Sequence, residues 1–355
     1  MSRAASNVIR VSQRSSADQI EHDLSKLWTE TARTSPVSRA LMSNLVIVRA
    51  PEGATSGDSK DDSKKDDLNK DDLNNAIGLP IEEVARRHPS RIVVLNHARP
   101  KKDSPGTIAA DVSILIFGSA GSRFGVEEIV VRSTCVEASL RSIVRRLTLG
   151  DVPTSVWWTE DFSRVGPMPS VVTMTRQLLY DSRQWRDVRR GVAVAAALVS
   201  QPRVPDLADL NWRRLRPMCR ALTHALGSSL APKDIHLTGV RIGHRPGDAS
   251  LAWLLAGWLI ARLGWDARNA PVAVEEARHG DDVIVASCDG ARAGEVIAAM
   301  NGHRVVVKYL SGGAPLSFAL PRETLAESIA AELTSLTRDI CLHDTLKALS
   351  RRFEM

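Results

Sequence analysis

The run Ile92-Val93-Val94-Leu95, closed in front by Pro89, constrains the fold more than any other part of the chain. Alternating apolar and polar residues would mark a strand with one wet face. Four consecutive apolar residues mark a strand covered on both faces, as in the parallel sheets of α/β proteins. Ahead of this run, Ile81 to His88 has helical spacing and stops where Pro89 steers its predecessor out of the α region. Behind it, Val112 to Phe117 and Glu127 to Val131 read as strands. Glu137 to Thr148 then reads as a helix with Leu140, Ile143, Val144 and Leu147 on one face, ended near Gly150, and Thr154 to Trp158 as a further strand. Strand, helix and strand in that order predict a βαβ unit. The glycines Gly118, Gly121 and Gly125 lack the Gly-x-Gly-x-x-Gly spacing of a nucleotide loop. The strand-like sequel VEEIVV makes a β-hairpin turn the expectation there.

Upstream, Ser16 and Gln19 suggest a capped helix with Ile20, Leu24, Leu27 and Trp28 on one face, and Leu41 to Val48 reads as the first strand. Residues 51–77 repeat DDSKK, DDLNK and DDLNN. With almost no apolar surface to offset ordering entropy, they are expected to be a disordered insert. In the second half, Asp206 to Leu226 is helix-like, with Leu215, Cys219, Leu222 and Leu226 on one face and Pro217 kinking or starting it. Asp248 is placed to cap the apolar helix Leu251 to Leu263. Strands are expected at Asp234 to Ile242, Val272 to Glu276, Val283 to Ser287, Arg304 to Leu310 and Leu316 to Leu320. A long helix follows from Glu323, burying Leu325, Ile329, Leu333, Leu336 and Ile340. The expected fold class is therefore α/β in two layered domains. Residues 1–35 form a tail and helix. Residues 36–200, with the 51–77 insert, hold a largely parallel sheet, and residues 201–355 hold a mixed sheet flanked by helices.

The chemistry-bearing patterns are mostly missing. No Gly-Lys-Ser/Thr phosphate loop, Gly-x-Ser-x-Gly elbow or His-Glu-x-x-His occurs, and the adjacent carboxylates Glu82-Glu83 and Asp281-Asp282 point apart. Cys135, Cys219, Cys288 and Cys341 are scattered without a Cys-x-x-Cys pair, which suits free thiols in a reducing compartment. Those on helix faces, Cys219 and Cys341, are expected to be buried. The reading is thus of no catalytic residues, no cofactor and no metal. The longest apolar run, Leu251 to Ala261, falls short of the about 20 residues a span needs, so a cytoplasmic protein without a membrane partner is expected.

What stands out instead is tryptophan beside arginine. Residues 176–220 hold ten arginines and four aspartates, with no lysine. Trp157 and Trp158 end a strand of the parallel sheet, where α/β proteins bind ligands. Trp and Arg are enriched at interface hot spots, so Trp157, Trp158, Trp212, Arg213, Arg216 and Arg220 are the candidate partner-interface residues. Two other readings compete. Arginines and helix starts near Arg91 or Asp248 could hold a sugar phosphate in an enzyme or sensor. The isoelectric point near 9.3 admits a nucleic-acid binder, although no nucleic-acid motif accompanies it.

Four segments in series carry a resemblance: HPSRIVVL (His88 to Leu95), VPTSVWW (Val152 to Trp158), DLADLNWRRLRPMCRAL (Asp206 to Leu222) and SLAWLLAGWLIARLGW (Ser250 to Trp265). In this order and spacing, from about Ser38 to near Leu342, the chain resembles the OpcA family of glucose-6-phosphate dehydrogenase assembly proteins. The resemblance implies a non-catalytic partner of that dehydrogenase, promoting its oligomeric assembly and its response to substrate. In photosynthetic members cysteines are associated with thioredoxin control, and none of the four cysteines here matches those positions. Nucleic acid is not an expected partner.

Overall fold

The computed structural model describes residues 8–34, 36–49, 78–98, 106–119, 121–201, 205–227, 237–277, 282–290, 296–310 and 312–354. The expected insert at 51–77 lies outside them. The chain divides into two compact units. One comprises residues 1–159, 168–178 and 324–336, and the other 160–167, 179–323 and 337–355, so the division does not follow a single cut at residue 200.

The first unit is built on β1 (Ile9–Ser15), β2 (Ser38–Arg39), β3 (Ser43–Arg49), β4 (Ser90–His97), β5 (Ile108–Ser119), β6 (Ser122–Ser133) and β7 (Thr154–Trp158), in the order β1-β5-β6-β4-β3-β7 with β2 beside β6. Strands β6, β4, β3 and β7 run parallel, with Val46 opposite both Val93 and Val156. The apolar run of β4 is buried throughout, as its continuity predicts. Strands β5 and β6 form the expected hairpin, turning where Gly118 and Gly121 take φ of +99° and +94°. Helices α1 (Ile20–Thr34), α2 (Ile81–Arg87), α3 (Glu137–Leu147), α4 (Pro169–Val172) and α8 (Leu325–Thr334) complete the unit.

Strand β1 corrects the expected N-terminal tail. It pairs antiparallel with β5 from Ile9↔Ile116 to Ser15↔Ala110. Its polar sequence IRVSQRS hid it, because an edge strand with one wet face needs little apolar surface. A buried ionic network lies on the same sheet. Arg91 is 1 % exposed and pairs with Glu21 of α1 and with Glu127, at 3.4 Å. Glu127 also accepts from Trp28 Nε1 at 2.7 Å and pairs with Arg39 at 3.0 Å. Arg10 binds Glu128, whose carboxyl burial pushes up against the opposing pull of Arg10.

The second unit holds α5 (Val188–Val199), β9 (Asp206–Asp209), α6 (Leu210–Gly227), β10 (Leu237–His244), α7 (Ala249–Leu263) and α9 (Ile340–Phe353), β8 (Gln177–Tyr180) having preceded them in the chain. Its mixed sheet runs in the order β11 (Val272–Glu276), β10, β12 (Ile284–Gly290), β13 (Val296–Met300), β14 (Arg304–Tyr309), β15 (Leu316–Ala319). Only β10 and β11 are parallel; the rest are antiparallel. Helix α7 is apolar nearly all round and correspondingly buried, packing on α9, α6, β10 and β11.

Several expectations are corrected here. The segment from Asp206 starts as strand β9, and α6 then runs unbroken through Pro217. Strand β13 was not anticipated. The long C-terminal helix is two, because α8 stops at Ser335 and Asp339 caps a new start by accepting the Leu342 amide. Leu336 is therefore only half-buried and Ile340 is 67 % exposed. Cys341 is exposed, while Cys219 and Cys288 are buried and Cys135 is half-buried. No helix among the described residues is long and apolar enough to cross a membrane.

Candidate functional site

The residues expected to form an interface divide by what they already touch. Trp157, Trp158 and Trp212 are 4 %, 1 % and 2 % exposed, so their rings are core and offer a partner no surface. Trp212 donates its Nε1–H to Asp339 at 2.8 Å, and Arg216 reaches the same carboxylate at 3.1 Å. The Trp212 ring is thereby locked to the start of α9, since a buried indole N–H needs an acceptor. Arg213 forms a bidentate pair with Glu323 at 2.6 and 2.8 Å, and Arg214 another with Asp181 at 2.9 Å on both arms. Forked pairs of this kind are the strong form of the contact, and they hold α6 to neighbouring segments. Of the six candidates, Arg220 alone is exposed and lacks a carboxylate partner among the described residues.

Beside Arg214 lies a strongly perturbed carboxyl, that of Asp209. Asp209 closes β9 fully buried. Its Oδ1 accepts the amides of Ser182 at 3.0 Å and Asn211 at 2.9 Å, at the entry to α6. Among the described residues, its Oδ2 has no partner, and neither does the buried Tyr180 hydroxyl nearby. Burial first, and then the neighbouring Asp181 charge, raise the Asp209 carboxyl to about 7. Arg214 directs its fork at Asp181, so among the described residues Asp209 has no ion pair of its own and feels Arg214 only at longer range. Tyr180 stacks on Phe162 and Trp185, with centroids 4.6 and 5.8 Å away. The arrangement caps a helix and stores a proton.

One constellation has the residue types of nucleophilic catalysis. Ser43 Oγ lies 3.1 Å from His88 Nε2 and 2.9 Å from Ser90 Oγ. All three residues are at most 4 % exposed, the other ring nitrogen faces Thr334 at 3.5 Å and not a carboxylate, and burial lowers the imidazole pKa. A nucleophile needs access and an oriented base. This cluster satisfies buried strand ends instead. Among the described residues, no group of three His, Cys, Asp or Glu could hold a metal ion. Both places where a phosphate could sit are taken by carboxylates: Glu21 and Glu127 hold Arg91. Asp248 sits at the start of α7 without capping it, its carboxylate turned to Arg245 at 3.3 Å and facing Arg183 at 3.9 Å.

Sequence reasoning missed the outer face of the second unit's sheet. Helices α6 and α7 pack on the strands, and Ile284, Ala286, Val296, Ala298, Val305 and Val307 are buried. The alternate residues Val285, Ile297, Ala299 and Val306 are only half-buried and line a shallow cavity of about 360 Å³ with Arg304 and Lys308 at its rim. The signal was present: β12 to β14 read as nearly continuous apolar runs, VIVASC, VIAAM and VVV, although among the described residues α6 and α7 account for the helices packed on this sheet.

Two domain descriptions match the chain in series. The N-terminal domain of a glucose-6-phosphate dehydrogenase subunit matches residues 81–197, and the C-terminal domain of the same subunit matches residues 205–346. A putative OxPP cycle protein OpcA of Nostoc punctiforme is 25 % identical over 188 residues, which is 52 % of this chain and 40 % of that one. A protein of the same description from Synechococcus elongatus is 25 % identical over 194 residues, covering 51 % and 41 %. The chain thus spans about two-fifths of the length of these relatives. Among solved structures, an oxidoreductase of Thermotoga maritima aligns with a TM-score of 0.37 and 10 % identity over 88 % of this chain and 96 % of that one, a likeness too slight to carry an argument.

Proposed function

Since the chain belongs to the OpcA family, we propose that it is a non-catalytic assembly factor and allosteric activator of glucose-6-phosphate dehydrogenase, acting by binding the active oligomer in the cytoplasm. The observation that carries this reading is the pair of subunit-domain matches, in order along one chain. The chemistry supports it. The one Ser–His pairing among the described residues is sealed in the interior, and most of the candidate arginines are engaged in holding the fold together.

An activator of this kind binds the active, assembled enzyme more tightly than the inactive form. Differential binding of about 1–3 kcal/mol changes substrate affinity roughly 5- to 150-fold. The purified chain is mixed with the dehydrogenase of the same organism at subsaturating glucose 6-phosphate. The expected result is a lower apparent KM or higher rate, together with an earlier-eluting complex. Unchanged rate, affinity and elution volume would overturn the proposal, as would substrate turnover by this chain alone.

A further inference from the structure

We propose that the outer face of the second unit's mixed sheet docks an apolar, acid-flanked surface segment of the dehydrogenase, an inference that rests on the function proposed above. An antiparallel sheet can leave one face to water when that face is polar. Here the centre of the face is Val285, Ile297, Ala299 and Val306, brought side by side by the register Val285↔Ala299↔Val306. All four are half-buried around the open cavity. An apolar centre inside a polar rim is the composition of a protein–protein contact.

Charge names the occupant. On β14 the outward residues are Arg304, Val306 and Lys308, so a cation stands at each end of the apolar strip. Neither Arg304 nor Lys308 has a carboxylate partner among the described residues, and Asp282 is the single acid lining the cavity. Four residue steps along the strand separate the two cations, roughly 13 Å at about 3.3 Å per residue. A matching segment presents apolar side chains between two carboxylates at that separation, which is about nine residues on a helix. The three strands that carry the cavity, β12 to β14, about 4.8 Å apart and about 17 Å long, give a footprint of roughly 250 Å². That is about a third of what one partner contributes to a standard interface, so the face forms the core of a larger contact.

The test uses the full chain and the dehydrogenase of the same organism, measuring affinity at low and moderate ionic strength and the mass of the free chain in solution. The variants are the double charge reversal Arg304→Glu with Lys308→Glu, the single Val306→Glu, and Arg220→Glu as the competing site on α6. The expected result is at least tenfold weaker binding for the double reversal at low salt, narrowing as salt screens it. Val306→Glu is expected to lose at least tenfold at both salt levels, and Arg220→Glu less than twofold. The double reversal touches only exposed side chains, so it carries the test if Val306→Glu fails to fold. If the parent chain binds and the sheet variants bind equally well, the docking site is wrong while the proposed function stands. If the variants instead turn a dimer of this chain into a monomer with unchanged enzyme binding, the face pairs with a second copy and the proposal falls. Failure of the parent chain to bind overturns the function and the docking site together.

Discussion

Replacing Asp209 by Asn should make the protein more stable at mildly alkaline pH. The buried carboxyl titrates at about 7 in the fold, against an ordinary value of 3.8. The folded state therefore holds a proton that the unfolded chain has released, so stability falls as pH rises from about 4 to about 7. Three units at about 1.36 kcal/mol each amount to about 4 kcal/mol withdrawn from the fold by about pH 8. The substituted carboxamide keeps the acceptor used by Ser182 and Asn211 and cannot ionise. Its NH₂ group also presents a donor where, among the described residues, Oδ2 and the Tyr180 hydroxyl now lack partners. Urea unfolding of both proteins from about pH 5 to about pH 8 isolates this effect as a difference curve, because every other titrating group is common to both. The two compact units need not unfold together, so exchange protection of the β9 and α6 amides is the appropriate reporter. The difference should grow with pH and reach a few kcal/mol in favour of the Asp209→Asn variant. Parallel curves, or a parent that gains on the variant as pH rises, would refute the assignment of a buried, uncompensated carboxyl.

Two further substitutions probe packing and the ionic network. A Cβ at Gly257 would come 2.5 Å from Leu349 Cγ, so Gly257→Ala should force α7 and α9 apart. Overpacking costs about 1–3 kcal/mol against roughly 1 kcal/mol of helix propensity gained, so a lower Tm is expected, partly restored by adding Leu349→Ala; an unchanged Tm would contradict this. Arg91→Ala should cost about 3 kcal/mol in urea unfolding. That is the low end for breaking a buried pair, because Arg39 and Trp28 still hold Glu127. Glu21→Ala, removing a carboxylate that is 60 % exposed, should cost under about 1 kcal/mol, and equal losses would show that burial does not govern the network.

Ile92 to Leu95 became a strand covered on both faces, Gly118 and Gly121 turned a hairpin, and the strand–helix–strand order around α3 belongs to a parallel sheet. Strand β1 escaped because an edge strand carries little apolar signal. The break between α8 and α9 escaped because Leu336 and Ile340 continue the helical period through residues that do not form a helix. Among the site candidates, residue type was a poor guide to exposure. Trp157 and Trp158 alternate along their strand, yet both are buried, because a parallel strand is covered on both faces.

The buried parallel strands, the hairpin turn, the scarcity of catalytic motifs and the family resemblance are properties of neighbouring residues, and the amino-acid sequence determined them unaided. Which arginines are engaged, which carboxyl keeps its proton and which sheet face stays open depend on residues far apart in the chain. Arg213 meets Glu323, Arg216 meets Asp339 and Asp209 loses water only once α6 is packed. Electrostatic partners and solvent access are set by distance in space, and only the tertiary structure supplies that.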